Sequence, residues 1–131
     1  MEPEYDLAVF VEACADVNMV AVRDKAQADA RKYFKLNTKI ALLYFIHNGG
    51  LEDPRHYNTK PWDKNPSNDS VIMIDAYGFF SGMIYGYIAF RFNANTNQWY
   101  IKSFKLNRDP DPRNLPFSVL RGLDVKGKLE E

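Results

Sequence analysis

The ten residues Met83–Phe92, MIYGYIAFRF, alternate strictly. Ile84, Gly86, Ile88, Phe90 and Phe92 fall on one parity, and Tyr85, Tyr87, Ala89 and Arg91 fall on the other. Successive strand residues point to opposite faces, so this segment is a strand with one apolar face. Its partner follows directly. NANTNQ is a turn whose asparagines tolerate turn dihedrals, and Trp99–Leu106, WYIKSFKL, is the return strand.

Two registers compete for that hairpin. Pairing Phe92 with Tyr100 sets Ile88 opposite Phe104, Gly86 opposite Leu106 and Tyr87 beside Lys105, but it leaves Phe90 facing Lys102. Pairing Phe92 with Trp99 sets Phe90 against Ile101 and Arg91 against Tyr100. The return strand is apolar on both parities, so the pattern alone leaves the register open, and a bulge would satisfy both. In either register Tyr85, Tyr87 and Arg91 share the face away from Ile88 and Phe90. That second face is aromatic and cationic.

Upstream the period changes. Leu7, Phe10, Val11 and Cys14 lie at helical spacing behind the acids Glu2, Glu4 and Asp6, which suit a helix N-terminus. A second helix is expected from Asp24, as N-cap, to about Leu36, with Ala26, Ala30, Tyr33 and Phe34 as its stripe. Between the two, NMVAV is a short apolar link or strand. A third helix is expected over Lys39–His47, capped by Asn37 or Thr38, with Ile40, Leu43 and Ile46 or Tyr44 inward. Asn48-Gly49-Gly50 ends it, and His47 fits a C-terminal cap.

The segment LEDPRHYNTKPWDKNPSNDS, residues 51–70, has three prolines, three asparagines and no periodicity. It reads as a loop, and its rings Tyr57 and Trp62 are expected to pack back onto the body. VIMIDAY, Val71–Tyr77, is a further strand, and YGFFSG is a link containing a turn. Residues 107–131 are expected to be an irregular tail, with one helical turn at 116–122. The result is one α+β domain: helices over residues 1–50, a loop over 51–70 and a sheet over 71–106. Its N-terminal helices pack on a small antiparallel β-meander.

Composition narrows the function classes. The 131 residues include 17 basic and 17 acidic side chains, so net charge is zero, which disfavours a generally basic nucleic-acid binder. The charge is unevenly spread, however. Residues 1–16 hold five acids and no base, whereas residues 17–64 hold nine bases and five acids, so a local positive patch fits the chain. The single Cys14 permits no internal disulfide and reads as a small buried hydrophobe. Two His and one Cys far apart make no zinc signature. No Gly-rich phosphate loop is present, and Asp109-Pro-Asp111 lacks EF-hand spacing. No metal or cofactor is expected. The acidic N-terminus is no signal peptide, and no apolar run approaches a membrane span, so a soluble cytoplasmic protein is expected. Asp75, the only acid within a strand, either orients a base, pairs across the sheet or sits at a strand end.

The aromatic, cationic face suits single-stranded RNA, with rings stacking on bases and Arg and Lys holding phosphates. The order of helices, loop and strands ending in YIKSFK resembles the RelE-related mRNA interferases, toxins of bacterial toxin–antitoxin pairs. The layout is nearest that of the motility quorum-sensing regulator toxin. The resemblance spans roughly Lys39–Leu106. It departs from the pattern in having no Gln on VIMIDAY and a longer hairpin turn. It implies a metal-free endoribonuclease with Tyr87 (or Tyr85) at the middle strand, Lys105 after Ser-Phe, and Lys60 from the loop. With it, Tyr87 or His56 is the candidate base and Arg91 and Lys105 the phosphate clamp. The alternative is a non-enzymatic protein-binding module, such as an immunity protein, an antitoxin or a phage-encoded inhibitor. It would meet a cognate toxin or other protein through the same face or the Trp62 loop.

Overall fold

A computed structural model describes residues 2–62 and 71–114. Helix α1 (Leu7–Ala13), a 3-10 turn (Val17–Met19) and strand β1 (Val20–Val22) come first. Helices α2 (Asp24–Phe34) and α3 (Lys39–His47) follow. Strands β2 (Glu52–Pro61), β3 (Met73–Ser81), β4 (Ile84–Asn93) and β5 (Gln98–Leu106) then form the sheet, and a 3-10 turn (Pro112–Asn114) closes the described chain. The fold is α+β, as expected from the order of the two periods. The sheet order is β1-β5-β4-β3-β2. All pairings are antiparallel except β1 with β5, which is parallel. NMVAV therefore supplies an edge strand that extends the meander.

The helix starts follow local chemistry. Asp6 caps α1 by accepting from Ala8 N–H, and Thr38 caps α3 by accepting from Ala41 N–H. At α2 the cap position is Arg23, without a side-chain bond, so Asp24 is the first helical residue rather than the cap. Gly49, just past α3, takes φ +87°, the left-handed conformation that glycine reaches cheaply.

The stripe of α1 points inward as expected, with Phe10 and Cys14 buried. In α3 the inward residues are Leu42, Leu43 and Ile46, while Ile40 and Tyr44 are exposed. The helix is apolar nearly all round, so its residues favour no single face, and docking chooses one.

The core lies between the helices and the inner face of the sheet. Phe79, Ile88, Phe90, Ile101 and Phe104 are fully buried there. Phe10 of α1 stacks on Phe90 at 4.1 Å between centroids. Gly86 faces this core, and a Cβ there would come within 2.4 Å of the Phe79 ring, so only glycine lets that ring lie across β4.

Both registers of the β4–β5 hairpin are present. Phe92 pairs with Trp99, Arg91 with Tyr100 and Phe90 with Ile101. After a register shift, Ala89 pairs with Ser103, Ile88 with Phe104, Tyr87 with Lys105 and Gly86 with Leu106. Lys102 is the extra residue. The bulge keeps Trp99, Ile101 and Phe104 all on the inner face, which no bulge-free strand of this sequence could do.

Two expectations are corrected. Residues 52–61 are strand β2, not loop; 63–70 and the helical turn expected at 116–122 lie outside the described residues. The expected link YGFFSG is the second half of β3, with the turn confined to Gly82 and Met83.

Candidate functional site

The outer face of the sheet is where the second parity of each strand emerges. Asn58 pairs with Ala76, Ala76 with Ala89, and Ala89 with Ser103. This row of small side chains leaves a trough. Tyr87 rises on one side of it and Trp62 on the other, both packed against the small cluster of Ile74, Ala76 and Ala89. The larger section of the trough encloses about 400 Å³, lined by Arg23, Lys60, Trp62, Tyr87 and Lys102 among others. A smaller section, about 160 Å³, is lined by Tyr57, Lys60, Tyr87, Lys105 and Arg108, with Asn107. Asn58, Lys60 and Tyr87 line both.

Two bulges build this rim. In β5 the shift between Ala89 and Phe90 admits Lys102 beside Ser103. In β2 a shift between His56 and Asn58 admits Tyr57 as the extra residue. Each bulge brings consecutive side chains, Tyr57–Asn58 and Lys102–Ser103, toward the groove. Bulges re-aim side chains in this way.

Among the expected site residues, Tyr87, Lys105 and Lys60 come together. Lys105 Nζ lies 5.3 Å from the centre of the Tyr87 ring, and Tyr57 meets the same ring edge-on at 6.0 Å. Lys60 arrives from strand β2 rather than from a loop. Tyr57 is exposed apart from that edge contact, whereas Trp62 is half-buried and stacks on Tyr100 at 5.7 Å. The expectation that both rings pack down holds fully for Trp62 alone.

Arg91 stands apart. Four residues along β4 from Tyr87, it lies about 13 Å away by strand rise. It lines a different recess with Trp62 and Tyr100. Its Nη2 donates to the carbonyl of Phe92 at 3.3 Å, and its buried Nε has no partner among the described residues.

His56 is on the wrong face. It pairs with Tyr77, whose ring belongs to the core, and meets that ring edge-on at 5.5 Å. Thr59 donates its hydroxyl hydrogen to Asp75, so at 2.8 Å it accepts from His56 Nε2–H. His56 therefore belongs to the helix side of the sheet.

Asp75, fully buried, neither lines the groove nor pairs with a cation among the described residues. It accepts the backbone N–H groups of Glu4 at 2.9 Å and Tyr5 at 2.8 Å, anchoring the N-terminal segment.

Burial raises the Tyr87 phenol above its ordinary value, and Arg108 pulls the other way by its charge. No described carboxylate or histidine lines the groove. No group of three or more His, Cys, Asp and Glu gathers as a metal site among the described residues. No described helix is long and apolar enough to cross a membrane.

Sequence reasoning misses Arg23, Asn58 and Arg108 as lining residues. Arg23 is hidden because the strand before it reads equally as a link, and Asn58 because its strand has the composition of a loop. Arg108 follows the last strand and carries no periodic signal. No family model, curated protein or solved structure matches this chain.

Proposed function

We propose that the outer face of the sheet binds single-stranded RNA. One observation carries this: Arg23, Lys60, Lys102, Lys105 and Arg108 ring a groove walled by Tyr87 and Trp62, and no described carboxylate lines it. Phosphates are held by such cations, and unpaired bases stack on rings or lie on an apolar floor such as Ile74, Ala76 and Ala89. A duplex is too wide and stiff to place a base on that recessed floor.

The endoribonuclease reading adds a proton acceptor. Two phenols, Tyr57 and Tyr87, share the smaller section with Lys60 and Lys105; Tyr87 is the less exposed of the two, and as the base its phenolate would take the 2′-OH proton while the lysines meet the phosphate charge. Because burial holds the phenol up, the phenolate fraction at neutral pH is small. Cleavage by this route rises through the alkaline range. His56, on the other face, takes no part in it.

The test is titration of a labelled oligouridylate, with the 2′-deoxy oligomer as the uncleavable control. Lys60→Ala with Lys105→Ala is expected to weaken binding at least tenfold at unchanged melting temperature. Tyr87→Phe keeps the ring and abolishes any cleavage while sparing binding. If the wild type binds no oligomer, the RNA reading fails and the groove passes to the protein-interface alternative.

A further inference from the structure

A second concavity lies on the helix side. It runs between α1 and the β4–β5 turn and encloses about 630 Å³. Its floor is apolar: Tyr5, Val9, Ala13, Met19, Phe92 and Trp99. Val9 is 53% exposed, a large aliphatic side chain turned to solvent in the middle of a seven-residue helix. The polar members are of one sign. Glu4, Asp6 and Glu12 line the groove together with Asn97, and no described Lys or Arg does; Glu12 also lies 3.6 Å from His47 Nε2, outside the groove lining. All three acids are exposed.

We infer that this groove docks a basic amphipathic helix of a protein partner. The floor is made of side chains, so a partner gains nothing there from adding a strand. It must offer apolar side chains along one face, which a helix does at i, i+3, i+4 and i+7. The rim then sets the sign of its flanks. Carboxylates on the rim favour Lys or Arg flanking the apolar stripe and repel an acidic helix, which gives selectivity and speeds encounter. A second copy of this chain would have to bring its cationic sheet face to this groove. That face is itself concave, so two hollows would meet. RNA is excluded by charge. This inference does not depend on the RNA reading, since the two surfaces share no residue.

The test uses a labelled synthetic peptide of about five helical turns, with Leu on one face and Lys and Arg on the other, followed by fluorescence anisotropy. A control peptide carries Glu in place of every Lys and Arg. The basic peptide is expected to bind and the acidic one not. Charge reversal by Glu4→Lys with Glu12→Lys, both at exposed positions, should weaken binding by about tenfold or more, and added salt should weaken it too. Val9→Ser should weaken it without changing the salt dependence. Lys60→Ala with Lys105→Ala should leave it unchanged. Equal binding of the acidic peptide, no binding of the basic one, or indifference to both the Val9 and the charge-reversal variants overturns the inference. So does size-exclusion chromatography showing a dimer that Val9→Ser dissolves, because a second copy would then cover the groove.

Discussion

Asp75 holds two backbone donors of the N-terminal segment and the Thr59 hydroxyl from a position with no solvent exposure. Its neighbours Tyr5 and Tyr77 are both held above the ordinary phenol value, chiefly by burial, with the Asp75 charge adding to it. Removing the carboxylate takes away the acceptor of both N–H groups. Asp75→Ala is therefore expected to cost roughly 3 kcal/mol or more, since bonds to charged acceptors are the stronger class. Thr59→Val should cost about 1 kcal/mol. Urea unfolding measures both, and equal losses would mean that the backbone anchors contribute nothing. Cys14 makes a pH-dependent case. Burial pushes its thiol from 9.0 up to about 12. A group raised in the folded state favours folding fully below its unfolded value, and that contribution is lost as pH rises toward the folded value. Stability should hold steady up to about pH 9 and then fall, with Tyr5, Tyr77 and Tyr87 adding to the loss above 10.0, their ordinary value. Cys14→Ala should flatten the early stage of that decline. An identical slope in the variant would remove Cys14 from the account.

At the scale of elements, the two bulges decide how much can be read. Strand β4 is legible because its alternation is unbroken and its inner parity is wholly apolar apart from Gly86. Strand β5 is legible as a strand, yet its register is not. Lys102 shifts the parity midway, and both halves then satisfy the core. Strand β2 is illegible. Register shifts interrupt it twice, Asp53 takes φ +45°, and Pro54 and Pro61 stand within it. An edge strand tolerates proline because one of its sides has no ladder, and bulges erase the period-2 signal that would reveal it. The site suffers accordingly. Tyr87 and Lys105, on a regular stretch, fall together as the pattern places them, whereas His56, on the bulged strand, turns to the opposite face. The hairpin also supplies a test. Deleting Lys102 forces one register along the whole of β5, and either Ile101 and Trp99 or Phe104 must leave the core. The deletion should abolish cooperative unfolding. Lys102→Ala retains the extra residue and should cost no more than about 1 kcal/mol. Ile88→Ala and Phe90→Ala, both fully buried on the inner parity, should each cost about 2–5 kcal/mol. A cooperative, near-native melt of the deletion variant would show that the bulge is dispensable.

For the whole molecule, zero net charge conceals a division between two faces. Glu4, Asp6 and Glu12 line the groove on the helix side, while Arg23, Lys60, Lys102, Lys105 and Arg108 line the trough on the outer side of the sheet. The sheet and its apolar core lie between them. At physiological ionic strength charges are screened within about 8 Å, so the two faces present opposite potentials almost independently. A neutral chain can thus attract a polyanion on one side without behaving as a basic protein. This makes a quantitative expectation for RNA. Each phosphate neutralised on a single strand contributes about −0.7 to the slope of log K against log salt. Lys60→Ala with Lys105→Ala removes two contacts, so the slope for oligouridylate should become shallower by about 1.4. Glu4→Gln with Glu12→Gln removes two charges of the opposite face. Those carboxylates touch no phosphate and release no counterion, so the slope should stay the same and the affinity should change little. A slope that the lysine pair leaves untouched, or that the glutamate pair shifts equally, would mean that RNA senses only net charge. The groove would then have no role in holding it.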